Sequence, residues 1–358
     1  KWPARNASTR IARIWLSATT AVPTNATLDG LIVPHISTSL EAGGRINGIP
    51  ARLRENRDLC FKGYDFGDPG FLISNREADD MFAADPRNAT VVKPFLNGRD
   101  LNSNYDQSTD RFAIFFAEMN ASEAQHFTAP FLHISDTVQP SRLRKGHTDK
   151  WWKFERSRPA LTRALSAWPQ AFALSAVSSH AAIVDLPDGT LPGSAVAVFA
   201  GISQSDFGVL SSSVHYLWVV RWGSLLGQSI RYTPSDVFET FPRPDSLPKI
   251  GELGRYLNME RRSVMIQRQI GLTAICNLIH DPQVVGDADI ARLREIHSEL
   301  DFTVISAYGW DDLPTEAGFH SYRDMTRWTV PPAARVEILD RLLELNHSRA
   351  RAEGQDVP

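Results

Sequence analysis

Apolar positions in the first 245 residues fall in short runs rather than long periods. RFAIFF at 111–116, AIVDLP at 182–187 and AVAVFA at 195–200 hold β-branched and aromatic residues between Gly, Pro, Asn and Asp, the pattern of buried strands closed by turns. One stretch departs from it. Phe207, Leu210, Val214, Leu217, Trp218 and Arg221 recur at three- and four-residue steps with Gly223 behind them, which predicts a helix over 206–222 with a glycine cap. After PRPDSLP, 242–248, the texture changes. Ile290, Leu293, Ile296, Leu300 and Val304 mark one amphipathic helix, and Val336, Leu339, Leu342 and Leu343 mark another that opens after Pro331 and Pro332. The fold class expected is α+β, with a mixed α/β domain over 1–245 and an α-helical C-terminal domain over 246–358.

The densest local signal is RYTPSDVFETFPRP, 231–244. Thr233 reads as an N-cap, Pro234 as a first helical residue with φ already set, and Asp236 as the carboxylate that favours a helix's positive end. Phe238 and Phe241 then pin the turn to a core. Arg231 is therefore expected to leave a braced corner in a fixed direction.

Composition narrows the class. With 358 residues and 42% hydrophobic content the chain can bury a large core, and no apolar run reaches the roughly 18–20 residues that span a bilayer. No signal-peptide pattern opens it, so no membrane partner and a cytoplasmic location are expected. Cys60 and Cys276 lie far apart without His or Cys at metal-ligand spacing, so neither a disulfide framework nor a zinc site is indicated. The sequence begins with Lys1, which suggests a piece of a longer polypeptide.

Charge gives no global case for a nucleic-acid partner: 38 Lys plus Arg face 41 Asp plus Glu, a net of -3. The local case is RLRKGHTDKWWKFERSRPALTR, Arg142 to Arg163, where eight basic residues meet only Asp149 and Glu155 and surround Trp151 and Trp152. Such a run is either a solvated face with a hydrophobic anchor or a strip whose cations replace the counterions of DNA phosphates.

Catalytic signatures are missing. The chain has no HExxH, no Gly-x-Ser-x-Gly, no Walker loop and no Asn-Pro-Pro-Tyr type motif. Ser178, Ser179 and His180 lack a carboxylate or oxyanion hole placed beside them by any motif, so a hydrolase triad is not supported. YDFGDPGF at 64–71 superficially resembles a glycine loop for a methyl donor, but Pro69 interrupts it, and Gly63, Gly67 and Gly70 read as turn residues.

A distributed set of segments resembles the C-terminal half of the MmeI-like type IIL restriction-modification enzymes, in which one polypeptide carries nuclease, adenine methyltransferase and target recognition. The set comprises KWP at 1–3, Gly70 and Phe71, VVKPFLNGRDL at 91–101, KWWKF at 150–154, SSH at 178–180, GVLSSSVHYLW at 208–218 and, most specific, RYTPSDVFETFPRP. GLTAICNLIHDP at 271–282 and LREIHSELDFTVISAYGWDDL at 293–313 resemble the helical tail that follows.

The resemblance implies a target-recognition domain over 1–245 and a helical domain behind it, acting on double-stranded DNA for a methyltransferase domain of the same polypeptide. No cofactor is implied in this chain; S-adenosylmethionine would belong to the parent protein. By position, Gly227, Gln228, Ser229 and Arg231 would read bases, with His180 beside them. Arg142, Arg144, Lys145, Lys150 and Lys93 would contact phosphates. Relatives often carry charged residues in the places of Gly227 and Ser229, a departure that bears on the sequence read. An arginine donates two hydrogen bonds to guanine, whereas serine is ambiguous and glycine has no side chain to read with. The parent system would be restriction-modification or phage defence. The alternative function is a protein-docking module of a defence complex that reads no DNA sequence.

Overall fold

Side-chain caps set where many of the helices begin. Ser74, Asn97, Asn120 and Ser203 each accept the backbone amide three residues on, and the acid at that position bonds back to the cap, so reciprocal boxes open Asn75–Ala84, Gly98–Ser103, Ala121–Gln125 and Gln204–Ser211. A computed structural model describes residues 26–28, 31–33, 46 and 48–357 except 147–148, 169, 227–228, 246 and 323–324. The expected helix over 206–222 is two helices, Gln204–Ser211 and Ser213–Trp222. Ser212 interrupts it: its backbone is extended and its hydroxyl accepts the His215 amide, so a serine inside an apolar period caps a new helix instead of continuing the old one.

The strands build small sheets. One runs in the order Leu191–Pro192, Val92–Leu96, Arg111–Ile114, Leu72–Ser74, and a second in the order Cys60–Lys62, Val196–Ala200, Ala171–Ser175, Val184–Asp185. Val196–Ala200 and Ala171–Ser175 are buried at every position, as expected of strands covered on both faces, which explains their unbroken apolar sequence. A third sheet holds Ser224–Leu226, Ser229–Arg231 and Val177–Ser178. Ala176 links the second and third sheets, donating to Ala195 O and accepting from the Tyr232 amide.

Behind residue 245 come Pro248–Arg268, Leu272–His280, Ala288–Ala307 and Pro332–Ala352, with a hairpin of Gly318–Tyr322 and Met325–Thr329 before the last helix. The architecture is α+β, as the pattern predicts. Pro248–Arg268 crosses Gln204–Ser211 at a pair of glycines: a Cβ on Gly254 would lie 2.7 Å from Gly208 Cα, so only glycine admits this approach. One hydrophobic cluster runs through both parts, from Phe172 and Phe207 to Ile250, Leu293 and Leu342. Asn346 on the last helix accepts from Ala51 N and donates to Ala51 O and Thr240 O, fastening the segment before the first sheet to the C-terminal helix. No described helix is long and apolar enough to cross a membrane.

Candidate nucleic-acid interface

Arg231 ends the middle strand of the third sheet, paired with Ser224 on one side and Val177 on the other. Alternation along the strand sends Ile230 and Tyr232 into the core, 3% exposed each, and turns the Arg231 side chain to solvent. Among the described residues no carboxylate pairs with it. Ser229 is half-buried at the start of the same strand, while Gly227 and Gln228 lie outside the described residues.

The corner after Arg231 is held from three sides. Tyr232 donates its hydroxyl to His215 Nε2, because Nδ1–H of that ring is committed to Leu210 O. Trp218 Nε1–H donates to Val237 O and to the Thr240 hydroxyl. Asn56, fully buried, donates to Phe238 O, Glu239 O and Phe241 O. Pro234–Phe238 forms a single wide π-turn, and Thr233 holds its start through the backbone carbonyl, which accepts from Asp236 N and Val237 N, rather than through the expected side-chain cap. Phe238 and Phe241 are fully buried, as expected.

The expected phosphate-contacting residues divide. Arg144, Lys145 and Lys150 are exposed, the first two at the end of Gln139–Arg144. Trp151 packs on Phe131 and Trp152 donates to Met119 O, so the aromatics anchor the basic segment while these cations face water. Lys93 is half-buried in an inner strand of the first sheet. Arg142 is corrected: 8% exposed, it donates to Phe66 O at 2.6 Å and lies over the Phe71 ring, an internal brace without a face for a phosphate.

His180 is corrected as well. Its Nε2–H donates to Asn277 Oδ1 at 2.8 Å and its Nδ1 accepts from Arg327, so neither ring nitrogen is left for a base edge. Arg327 also donates to His280 Nε2 and stacks 3.8 Å above the Tyr216 ring, while His180 stacks on His280. Burial first, and the Arg327 charge second, lower the His180 pKa to about 4, so the ring is neutral near pH 7. Tyr216 donates to Ser179 O, so the whole SSH turn is tied to the helices behind it. This arrangement braces the strand beside Arg231. The sequence did not single out Arg327; an arginine in a strand of alternating burial, MTRWT, was its one visible sign.

The glycines of 63–70 stand where the backbone packs closely against other parts of the protein. A Cβ on Gly63 would meet Gly193 O, on Gly67 the Glu155 side chain, and on Gly70 Thr137, each closer than 3.0 Å.

Residues 54–245, more than half of the chain, match the family described as MmeI, target recognition domain, and the chain belongs to that family. A solved structure of the type IIL restriction-modification enzyme MmeI in complex with DNA is similar with a TM-score of 0.62 and 18% identity, covering 90% of this chain and 39% of that chain. At that identity the likeness establishes the shared fold. The chain spans well under half of that enzyme's length. The type IIG restriction endonuclease BpuSI aligns over 72% of this chain and 32% of its own at 13% identity, with a TM-score of 0.28. No curated protein matches the sequence.

Proposed function

We propose that this chain reads a short sequence in double-stranded DNA and so selects the adenine that a methyltransferase modifies at N6. The observation that carries the reading is Arg231: in a member of a target-recognition family, an exposed guanidinium without a carboxylate partner among the described residues projects from a strand braced by Tyr232, Asn56 and Trp218. A rigid arginine at a groove donates bidentately to guanine O6 and N7. Ser229, on the same strand, is the second reading candidate, and Gly227 and Gln228 are two further candidates. Arg144, Lys145 and Lys150 position the duplex through its phosphates, and Lys93 contributes if the duplex reaches the first sheet.

In this division of labour the chain itself has no turnover. Methyl transfer belongs to a catalytic domain of the parent polypeptide, where S-adenosylmethionine supplies the methyl group and the target adenine is extruded from the helix. The setting is a restriction-modification or phage-defence system acting on DNA in the cytoplasm.

The test is selection of bound duplexes from a randomised pool, followed by competition with non-specific DNA at several salt concentrations. A recovered consensus whose binding survives excess competitor, and weakens steeply with salt, supports the reading. Binding without consensus supports a protein-docking module instead, and methylation of DNA by the purified chain contradicts the division of labour.

A further inference from the structure

A cleft of about 530 Å³ opens beside the turn that follows Arg231. Thr233, Pro234 and Ser235 form one wall, and the remaining lining is mainly apolar with Arg57, Lys62 and Arg158 among it. Among the described residues none of these three cations forms an ion pair, although the Asp65 carboxylate acts on Arg158 without touching it. The acids at the rim are Asp58, exposed, and Glu239, which pairs with Arg52 at 3.7 Å. Three cations thus line a concave site without a direct carboxylate contact.

Arg158 is the most constrained of them. It sits in the left-handed region, with φ 45, directly before the helix Pro159–Ala167. Its Nε is shut off from solvent and meets no hydrogen-bond partner. Burial, and then the neighbouring Arg156 charge, push its pKa down from the ordinary arginine value against a smaller opposing pull from Asp65. An anion arriving in the cleft offsets the like charge beside Arg158, while the buried Nε itself stays out of its reach.

We propose that this cleft seats a backbone phosphate of the same duplex whose base edge Arg231 reads. Thr233 lies two residues beyond Arg231 on one rigid corner, so a phosphate clamped in the cleft fixes the register in which the guanidinium enters the groove. The seat is separate from the exposed Arg144, Lys145 and Lys150, and it rests on the DNA-reading function proposed above. The occupant is a phosphodiester in a duplex; free phosphate lacks the second anchor at Arg231.

The experiment compares the full chain with Arg158→Met, Lys62→Met and Arg231→Ala on the selected duplex and on a scrambled one, across a salt series, with thermal melts of each protein. Lys62 is exposed, so its replacement retains the fold if Arg158→Met does not. The two methionine variants lower affinity for both duplexes by the same factor, and the slope of log affinity against log salt falls by about 0.9 for each lost contact. A single neutral methylphosphonate, scanned along the duplex, weakens wild type at one position and has no further effect on the methionine variants there. Arg231→Ala remains sensitive at that position. Unchanged slopes in both methionine variants, or a methylphosphonate effect that persists in them, overturns the phosphate seat while leaving the reading role of Arg231 intact. Retention of the complex in excess inorganic phosphate at fixed ionic strength agrees with the seat, whereas specific displacement overturns the requirement for a duplex. A wild-type chain that binds no DNA overturns the function and the seat together.

Discussion

The hydroxyl of Tyr232 meets His215 Nε2 at 3.2 Å, one residue beyond Arg231. Neighbouring side chains on a strand point to opposite faces, so the bond that fixes Tyr232 inward also fixes the direction in which Arg231 points outward. Removing only that hydroxyl with Tyr232→Phe should cost about 1 kcal/mol in stability and reduce the ratio of specific to scrambled DNA binding. Chemical denaturation and paired binding isotherms check the two effects. Loss of stability with an unchanged ratio would separate this bond from the aim of Arg231.

Asn56 supports the same corner from the opposite side. Its amide donates to three carbonyls of the turn and its Oδ1 accepts from Arg243, all at a fully buried position. Asn56→Ala leaves these groups without their partner in a dry interior and should cost about 3 kcal/mol. A urea midpoint within experimental error of wild type would show that the turn relaxes to other partners.

Acid should destabilise the protein between pH 7 and 5. Burial holds His180 and His215 at about 4 and His297 at about 3, each below the ordinary 6.5, so the unfolded chain binds these protons more tightly. Their contribution is complete above pH 6.5 and is lost as pH falls toward 4, at roughly 1 to 2 kcal/mol per histidine by pH 5. Asp301 opposes them: burial raises it to about 6, so its contribution is present below about pH 4 and is lost as pH rises through 6. Three histidines outweigh one carboxylate, with Arg327 and Arg261 adding charge that disfavours a second cation among them. Tm should fall as pH is lowered from 7 to 5, and less steeply in His215→Gln. A flat or rising Tm would contradict the neutral buried rings.

Two arginine and lysine positions in the basic segment should behave differently. Lys145→Ala, at an exposed site, should weaken every DNA sequence alike and flatten the salt slope by about 0.9 without moving Tm. Arg142→Ala should cost about 2 kcal/mol in stability, because Phe66 O loses a charged donor, and leave the salt slope unchanged. A flattened slope in Arg142→Ala would return that residue to the phosphate-contacting set.

What the sequence made legible was local. The strand at 196–200, the helices at 288–307 and 332–352, and the buried Phe238 and Phe241 all follow from apolar spacing and nearby turn residues. The misreadings came from distant partners or from competition along the backbone. Arg142 looks like any other cation in its segment until Phe66, 76 residues away, supplies a carbonyl. His180 is engaged by Asn277 and Arg327, 97 and 147 residues away. Ser212 sits in an apolar period that a helix satisfies, yet its hydroxyl caps the next helix instead. Arg57 and Lys62 lie far along the chain from Arg158, and the three line one cleft only when the fold assembles.

The central claim is that one guanidinium on a stiff corner reads a base. Affinity of the full chain and of Arg231→Ala should be measured on the selected duplex, on its single-base variants and on scrambled DNA at one salt concentration. The account predicts a loss of about 1 to 3 kcal/mol on the selected duplex, little change on scrambled DNA, and relaxed preference at a single base pair. Equal losses on selected and scrambled DNA, with every base preference retained, would contradict it.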